Sequence, residues 1–310
     1  MTSPALALDG GKHIGRLYRS PATPPHPNLR FTDSGSPYLR PRDAIEAVRA
    51  GTLMPSITNV LDVENAPHLL GWTAKKTAEE AVRVARDWPD LLRDKPQEAV
   101  GYLRGTADRD RDQAAEQGDR VHNACEAIAR GLPCPDLTPR EHQYVDAWKA
   151  FVDRWQPEFL HLAAPVFGTT PSGLAYAGTG DLIFRANGLV VVGDYKTNRS
   201  GLHASVALQL SGIAHATSLS PDNETLVEMP RVDAGVAIHL DPEGYQVKPV
   251  VLGGQTWRTF CGLREAWDFH ALDGELLDGR KGLGQSLRGP EALQGEEWRA
   301  CGAGVRIGAA

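Results

Sequence analysis

The sequence predicts an α/β protein of the α+β kind, with an αβββαβ core, a central mixed sheet and additional N-terminal helices. Apolar residues recur at helical spacing through much of the first half of the chain, and the pattern changes to strand spacing between residues 162 and 197. One helical segment and two strand-like segments then follow. Helices followed by a run of closely connected strands indicate helices packed on a mainly antiparallel sheet.

Composition and charge exclude several classes of protein. The chain has 310 residues, of which 41% are hydrophobic and 23% charged, as is typical of globular proteins. Its longest apolar runs are too short to cross a membrane, and its N-terminus lacks the segments of a secretory signal, so we expect a cytoplasmic location. The four cysteines form no CxxC pair, which argues against a zinc ribbon or a disulfide framework. Because the net charge is −6, any nucleic acid must be bound by a local basic patch or through metal ions.

Three regions differ in composition. Residues 1–52 are rich in proline, glycine and serine, which predicts an irregular arm with short ordered pieces. Residues 53–272 have regular patterns and are predicted to form the main domain. Residues 273–310 are rich in glycine and have few apolar anchors, which predicts a loose tail.

The helical part of the main domain begins with a short helix that Ser56 is expected to cap. Three longer segments carry an apolar stripe at helical spacing; they are residues 69–86, 118–131 and 139–155. The middle segment buries Val121, Cys125 and Ile128 in this interpretation, and Gly131 is a suitable residue to end it. These segments are the predicted N-terminal helices of the domain.

The strand part follows directly. Three strands are predicted over residues 162–168, 174–186 and 189–197, and Asn187 with Gly188 reads as the tight turn between the last two. Later elements are a helix over residues 204–219, two strands over 232–240 and 245–252, and an amphipathic helix over 255–272.

Charged residues interrupt the most apolar of these strands. Asp194 and Lys196 are two residues apart and therefore project from the same face of the strand. Counting from the turn, Asp181 lies about as far away as Asp194, so the two carboxylates are expected side by side at one end of the sheet. Carboxylates that close repel each other unless a cation lies between them. We therefore expect Mg²⁺ or Mn²⁺ there, and we expect Asp194 and Lys196 to be neutralised by metal and substrate rather than by each other.

Two further segments can supply polar groups to this site. His122 and Glu126 are four residues apart and share a helix face. In the functional interpretation, His122 gives the metal a nitrogen ligand. The simpler alternative is an exposed His–Glu pair without a role. Gln209 lies on the helix that follows the strand of Asp194, where it can hold a water, a carboxylate or the DNA backbone. The alternative is a half-exposed residue without a role.

Taken in order, these motifs resemble those of a known family. G-x-x-x-H (Gly118 to His122), G-x-x-D (Gly178 to Asp181), D-Y-K-T (Asp194 to Thr197) and Q-L (Gln209 and Leu210) are similar to the motifs of the RecB-like branch of the PD-(D/E)XK nuclease superfamily. The chain resembles in particular the phage-encoded exonucleases related to the CRISPR-associated RecB-like exonuclease family. The resemblance covers about residues 53–270.

The resemblance implies a restriction-endonuclease-like fold and a role for each matching residue. His122, Asp181, Asp194 and the carbonyl of Tyr195 would ligate Mg²⁺ or Mn²⁺. Lys196 would be the catalytic lysine, with Asp181, Asp194 and Gln209 completing the catalytic set. Glu126 matches an acidic position whose role is less defined. It would either ligate the metal itself or contact the residues that do.

This chain departs from the family pattern in three places. The position four residues after Gln209 often holds tyrosine and here holds Ile213. Many relatives have a glutamate in the strand before G-x-x-D, where this chain has Ala163 and Ala164. The scattered cysteines do not match those of the cluster-bearing relatives, so we expect no iron–sulfur cluster.

Basic residues flank the motifs on both sides. Lys75, Lys76, Arg120 and Arg199 are the predicted contacts to the DNA backbone, with Arg109 and Arg111 as further candidates. No element suited to reading bases is evident, so cleavage is expected to be sequence-tolerant.

The leading hypothesis is therefore a metal-dependent DNA exonuclease in recombination, repair or phage DNA processing. A partner such as a recombination or single-strand annealing protein, and a location in the bacterial or phage-infected host cytoplasm, follow from the resemblance. The alternative is a catalytically impaired DNA-binding or assembly module with the same fold. A zinc hydrolase using His122 and Glu126 ranks last, because that helix lacks a second histidine at ligand spacing.

Overall fold

The computed structural model describes residues 7–10, 14–64, 67–198 and 201–272. The predicted tail, residues 273–310, and the predicted DNA contact Arg199 lie outside the described residues. Within them the chain is a mixed α/β protein with two mixed sheets, which confirms the predicted class at that level.

The N-terminal residues form a small sheet of short strands. In chain order these are β1 (Ala7–Asp9), β2 (Arg16–Tyr18), β3 (Arg30–Phe31), β4 (Pro37–Tyr38) and β5 (Met54–Pro55), with helix α1 (Pro41–Arg49) before β5. Their order across the sheet is β3-β4-β1-β2-β5.

This small sheet differs from the irregular arm predicted over residues 1–52. The ordered pieces are short, as expected, but Leu8, Leu17 and Leu39 are buried in the same hydrophobic cluster as Val166 of the large sheet. The Tyr18 hydroxyl also hydrogen-bonds to the hydroxyl of Thr179, at 2.9 Å. Because these apolar residues are widely spaced among prolines and glycines, no sequence period reveals that they are core residues.

Within the described residues, six helices come between the small sheet and the large one. They are α2 (Ile57–Leu61), α3 (Pro67–Asp87), α4 (Pro89–Asp94), α5 (Pro96–Arg104), α6 (Thr106–Ala129) and α7 (Pro139–Trp155). The Ser56 side chain accepts from the backbone N–H of Asn59, which confirms the predicted cap of α2. Helix α6 begins twelve residues before the predicted segment, and Gly131 follows it with φ of 71°.

In the described part of the chain, the large sheet has seven strands in the order β10-β9-β6-β7-β8-β11-β12. The strands are β6 (Glu158–Thr169), β7 (Ala175–Ala186), β8 (Leu189–Lys196), β9 (Ser218–Leu219), β10 (Val227–Glu228), β11 (Ala234–Asp241) and β12 (Gly244–Val250). Strands β6, β7 and β8 are antiparallel neighbours, and helix α8 (Ser205–Ala214) leads from β8 to its parallel neighbour β11. Helix α9 (Gln255–Ala271) ends the described chain.

The turn between β7 and β8 sets the register of the central hairpin. Asn187 and Gly188 both have positive φ, 48° and 79°, as a two-residue hairpin turn of the favoured hand requires. The resulting pairs run from Ala186–Leu189 to Leu182–Gly193. The predicted hairpin is therefore confirmed, including the residues of its turn.

Both faces of the central strands are buried. Ile183 and Val192 belong to the cluster that includes residues of α8 and α9, whereas Leu182 and Val191 belong to the cluster formed with α6 and α7. This alternation explains the apolar character of β8. Among the described helices, none is both long enough and apolar enough to span a membrane.

Candidate functional site

The candidate site lies where β7 and β8 diverge. Their last pair is Leu182 with Gly193, so Asp181 and Asp194 are the next residues on the two strands. Beyond this point β8 continues alongside β11, where Asp194 pairs with Ala237 and Lys196 with His239. The two aspartates are thus at the same end of the hairpin, as predicted.

Asp194, Lys196 and Gln209 form one polar cluster. The Lys196 ammonium lies 2.9 Å from Asp194 Oδ1 and donates to Gln209 Oε1 at 3.3 Å. The Gln209 amide donates to the same Asp194 oxygen at 2.9 Å. The expectation that Asp194 and Lys196 are not neutralised by each other is therefore wrong for the protein alone. Their side chains share a strand face, and the buried carboxylate needs a counter-ion.

Asp181, on β7, and His122, on α6, complete the polar cluster. Asp181 Oδ2 accepts from the backbone N–H of Tyr195 at 3.4 Å and lies 3.7 Å from His122 Nδ1. The His122 ring stacks on the Tyr195 ring with centroids 4.0 Å apart, and the Tyr195 hydroxyl donates to the His122 carbonyl at 3.2 Å. Helix α6 is thereby held against the end of β8.

Burial controls the charges in the site. Asp194 is fully buried, which raises its pKa to about 6 in spite of the opposing effect of Lys196. Burial also raises the pKa of Asp181 and lowers that of His122, and the Lys196 ammonium lowers the His122 value further. Burial lowers the pKa of Lys196, but Asp194 and Asp181 outweigh it and the net shift is upward. Lys196 is therefore charged and His122 neutral at pH 7.

The donor atoms fit a hard divalent cation. Asp194 Oδ2 is buried and has no hydrogen-bond partner within the described part of the chain, although a buried carboxylate oxygen normally has one. The neutral His122 ring and the Asp181 carboxylate stand beside it, and oxygen with imidazole ligands suits Mn²⁺ or Mg²⁺. In the described ranges no three His, Cys, Asp or Glu side chains are already gathered as ligands. The Lys196 ammonium would have to share Asp194 with an ion.

A strained residue lies on the strand beside Asp181. The register of β6 against β7 joins Leu162 to Leu182 and Ala164 to Gly180, so Ala163 is opposite Asp181. Ala163 has φ of 47°, a left-handed conformation that costs a residue with a Cβ about 1–2 kcal/mol. Arg130, the residue directly after α6, donates to the Leu162 carbonyl at 2.9 Å, next to this distortion. Strain of this kind concentrates at functional sites.

Ala163→Gly is expected to raise the free energy of unfolding by about 1 kcal/mol, because glycine adopts positive φ without the Cβ clash. Ala164→Gly is the matched control, since Ala164 is buried in regular strand and loses about 1 kcal/mol on the same change. Urea unfolding of both variants measures the difference. A loss of stability in Ala163→Gly equal to that in Ala164→Gly would contradict the assigned strain.

Glu126 pairs with the residue that directly follows its helix. Its carboxylate lies 2.8 Å from the Arg130 guanidinium, which also holds the Leu162 carbonyl. Glu126 thus supports the strand beside Asp181 through Arg130. Its role as a metal ligand, or as a residue that supports the ligands, stays a prediction.

The predicted DNA contacts have acidic partners inside the protein. Lys75 lies 3.7 Å from Glu79, and Lys76 lies 3.0 Å from Asp110. Arg120 donates to the buried Glu141 at 2.7 Å and also reaches Glu116. Arg111 pairs with Asp108 and Asp112, and Arg109 lies over the Tyr102 ring. These cations are already engaged, so DNA would have to compete for them.

Glu141 connects the helix of His122 to α7. One oxygen of its carboxylate accepts from Arg120, and the other accepts from the Thr138 backbone and hydroxyl in a capping box. The Thr138 N–H is the largest cause of a lowered Glu141 pKa, and Arg120 lowers it further. A lowered pKa means that the stabilisation is present above the ordinary glutamate pKa and is lost as pH falls through the folded value.

Glu141→Gln is therefore expected to reduce the free energy of unfolding by about 1–2 kcal/mol at pH 7. The difference from the wild type should shrink as denaturation is repeated at pH values that fall below the ordinary glutamate pKa of about 4.3 and through the lower pKa of the folded protein. Glu158→Gln, which removes an exposed pair with Arg185, is the control and should cost less than about 0.5 kcal/mol. A deficit in Glu141→Gln that does not depend on pH would contradict this role.

Two departures from the family pattern have a local explanation. Ile213 is 1% exposed, and its side chain packs close to Gly180, so a polar ring has no place there. Ala164 is buried, and Ala163 is the left-handed residue described above. These positions belong to the packing of the site rather than to its polar groups.

Three residues that were not among the predicted site residues lie next to the site. Arg130 and Ala163 shape the strand next to Asp181, and His239 is the register partner of Lys196 on β11. His239 could be noticed in the sequence as a polar residue near the end of an apolar strand, and Ala163 as one of the positions where the chain departs from the family pattern. Tyr195, expected to give a carbonyl to a metal, gives its N–H to Asp181 and its ring to His122.

Comparison with known proteins adds little to this geometry. No family model matches the chain, and no curated protein is significantly similar to it. The solved structure of SSO0001 aligns with 41% of this chain and 57% of its own, at 13% sequence identity and a TM-score of 0.26. The chain therefore spans little more than half of that protein's length, and a likeness of this size indicates neither a shared fold nor a shared function.

Proposed function

We propose that this protein is a metal-dependent DNA nuclease, an exonuclease of the RecB-like branch of the PD-(D/E)XK superfamily. One observation carries the proposal: a fully buried carboxylate oxygen of Asp194 without a hydrogen-bond partner among the described residues, next to Lys196 and Asp181. A protein that leaves such an atom in its interior gains from binding a cation there. The chain order α7, β6, β7, β8, α8, β11 supports the restriction-endonuclease-like αβββαβ core that is part of the proposal.

His122, Asp181 and Asp194 would hold Mg²⁺ or Mn²⁺, which supplies Lewis-acid activation of water and phosphate when bound. The chain's own groups provide orientation and charge. Lys196 carries a proton in the folded protein, and its ammonium offsets the negative charge that grows on a phosphate in the transition state. Gln209 contacts both Asp194 and Lys196, so it fixes their relative position.

Asp181 is oriented by the backbone N–H of Tyr195, and His122 is oriented by stacking on the Tyr195 ring. Tyr195 therefore links the two groups that approach the site from β7 and α6. Positioning of this kind, on a strand buried on both faces, is what a precise reaction centre needs. DNA is the proposed substrate, with cleavage that tolerates sequence and with a recombination or single-strand annealing protein as proposed partner.

End-labelled DNA tests the function directly. Linear and circular DNA, each single- and double-stranded, is incubated with the protein and Mn²⁺, then with EDTA in place of Mn²⁺. We expect loss of label from linear DNA only with the metal, and recovery of activity when Mn²⁺ is restored. Circular DNA cut as fast as linear DNA would overturn the exonuclease assignment, and no cleavage with either Mg²⁺ or Mn²⁺ would overturn the nuclease.

A second candidate is a catalytically impaired DNA-binding or assembly module. It is favoured by the ion pair of Lys196 with Asp194, which already neutralises the buried carboxylate. Calorimetric titration with Mn²⁺ separates the two. No heat of Mn²⁺ binding, together with DNA affinity unchanged by Asp181→Ala, would favour the module.

A further inference from the structure

A pocket of about 300 Å³ lies beside the candidate site, at the point where the chain leaves β8. Thr197, directly after Lys196, lines one side of it, and His239, the register partner of Lys196, lines another. Arg140, in the first turn of α7, closes a third side. Its volume is at the lower end of the range for small-ligand sites. Lys196 itself does not line the pocket, but its neighbour in the chain, Thr197, does.

The walls of the pocket are fixed by contacts within the protein. His239 Nε2 lies 2.9 Å from the carbonyl of Asn198, which can only accept, so this nitrogen carries the proton. The bond ties β11 to the segment that follows β8. Asp241 accepts from the backbone N–H of Glu243 at 2.8 Å, which shapes the turn before β12. The pocket is therefore a built feature between three elements.

Arg140 differs from the basic residues that were predicted from the sequence to contact DNA. Its side chain is exposed, and within the described ranges no carboxylate lies at ion-pair distance from it, whereas Lys75, Lys76 and Arg120 are all paired. A free guanidinium at the edge of a pocket is available to a phosphate without breaking an internal ion pair.

Asp241 and Glu243 line the pocket as well, and they decide what kind of ligand fits. Two carboxylates repel a free phosphate, but they accept hydrogen bonds from the exocyclic amino groups of nucleobases. A ligand with a phosphate for Arg140 and amino donors for the acidic wall is a nucleotide. We infer that this pocket binds the nucleotide adjacent to the scissile phosphate, an inference that rests on the proposed nuclease function.

Binding of a fluorescent single-stranded oligonucleotide in EDTA tests the pocket without cleavage. Arg140→Ala is expected to weaken binding about tenfold, because a hydrogen-bonded ion pair with phosphate is lost. Arg154→Ala is the matched control, since Arg154 is an exposed arginine at the other end of α7 with no ion pair among the described residues. We expect dCMP to displace the oligonucleotide and inorganic phosphate at equal concentration not to. Arg140 is exposed, so melting temperatures should confirm that both variants fold.

Cleavage kinetics with Mn²⁺ separate this inference from the proposed function. We expect Arg140→Ala to raise KM about tenfold with little change in kcat, as for a contact made equally in substrate and transition state. Oligonucleotide binding as tight in Arg140→Ala as in the wild type, or displacement by phosphate as effective as by dCMP, would overturn the pocket. If binding depends on Arg140 but no DNA is cleaved, the pocket stands and the nuclease function falls.

Discussion

Lys196→Met should lower the rate of DNA cleavage by about a thousandfold, the loss typical when a preorganised charge at a reaction centre is removed. Methionine keeps most of the length of the side chain and removes the ammonium that faces Asp194 and Gln209. Single-turnover cleavage of end-labelled linear DNA with saturating Mn²⁺ measures the effect on the chemical step. Lys149→Met, which changes an exposed lysine on α7, should cleave as the wild type does.

The same substitution should also destabilise the protein without its metal. Lys196 is the counter-ion of a fully buried carboxylate, and removing one partner of a buried pair costs about 3 kcal/mol. Urea unfolding in EDTA measures this cost. Cleavage within tenfold of the wild type, in a variant shown to be folded, would contradict a catalytic role for Lys196. A loss of cleavage that Lys149→Met reproduces would show that the assay reports something else.

Asp194→Asn should weaken Mn²⁺ binding by about a hundredfold or more. Substituting a residue that only hydrogen-bonds to a metal ligand already lowers metal affinity about 10- to 100-fold, and Asp194 is a proposed ligand itself. The amide retains the shape of the side chain but loses the charge and one acceptor oxygen. Calorimetric titration in the absence of DNA gives the affinity directly. Asp153→Asn, on the exposed side of α7, is the control and should bind Mn²⁺ as the wild type does. Equal affinity in Asp194→Asn and the wild type would rule out the proposed site.

The double variant Asp194→Asn with Lys196→Met separates stability from function. Replacing a buried ion pair by hydrophobic residues of similar volume is often neutral or stabilising by about 1–4 kcal/mol, and the polar Asn side chain would keep Gln209 as a hydrogen-bond donor. We therefore expect the double variant to be inactive, unable to bind Mn²⁺ and at least as stable in EDTA as the wild type. Such a result would mean that Asp194 and Lys196 serve metal binding and cleavage rather than the stability of the fold. A double variant much less stable than the wild type would indicate a structural role.

The central hairpin was predictable because its information is local. The turn residues Asn187 and Gly188 fix the register, and the register alone brings Asp181 next to Asp194. Helical spacing likewise identified α2, α3, α6 and α7, although the start of α6 and all of α4 and α5 were missed. Those segments are strongly charged and have few buried residues, so they carry little apolar period.

Local sequence patterns did not predict the N-terminal sheet, nor did they predict which partners the charged side chains have. Leu17 and Leu39 become core residues only because the large sheet covers them. Arg120 is a plausible DNA contact in the sequence, yet its guanidinium is bound to Glu141, twenty-one residues away. A partner that comes from a distant segment leaves no mark in the local pattern.

The sequence by itself determined the strands, the hairpin and the shared end at which Asp181, Asp194 and Lys196 lie, because strand alternation and turn geometry are properties of neighbouring residues. Tertiary structure alone decided how these charges are satisfied. It pairs Lys196 with Asp194 and leaves one buried carboxylate oxygen without a partner in the described chain. It also sets a left-handed Ala163 opposite Asp181. Burial sets the energy of a charge, and burial depends on which distant segments pack around it.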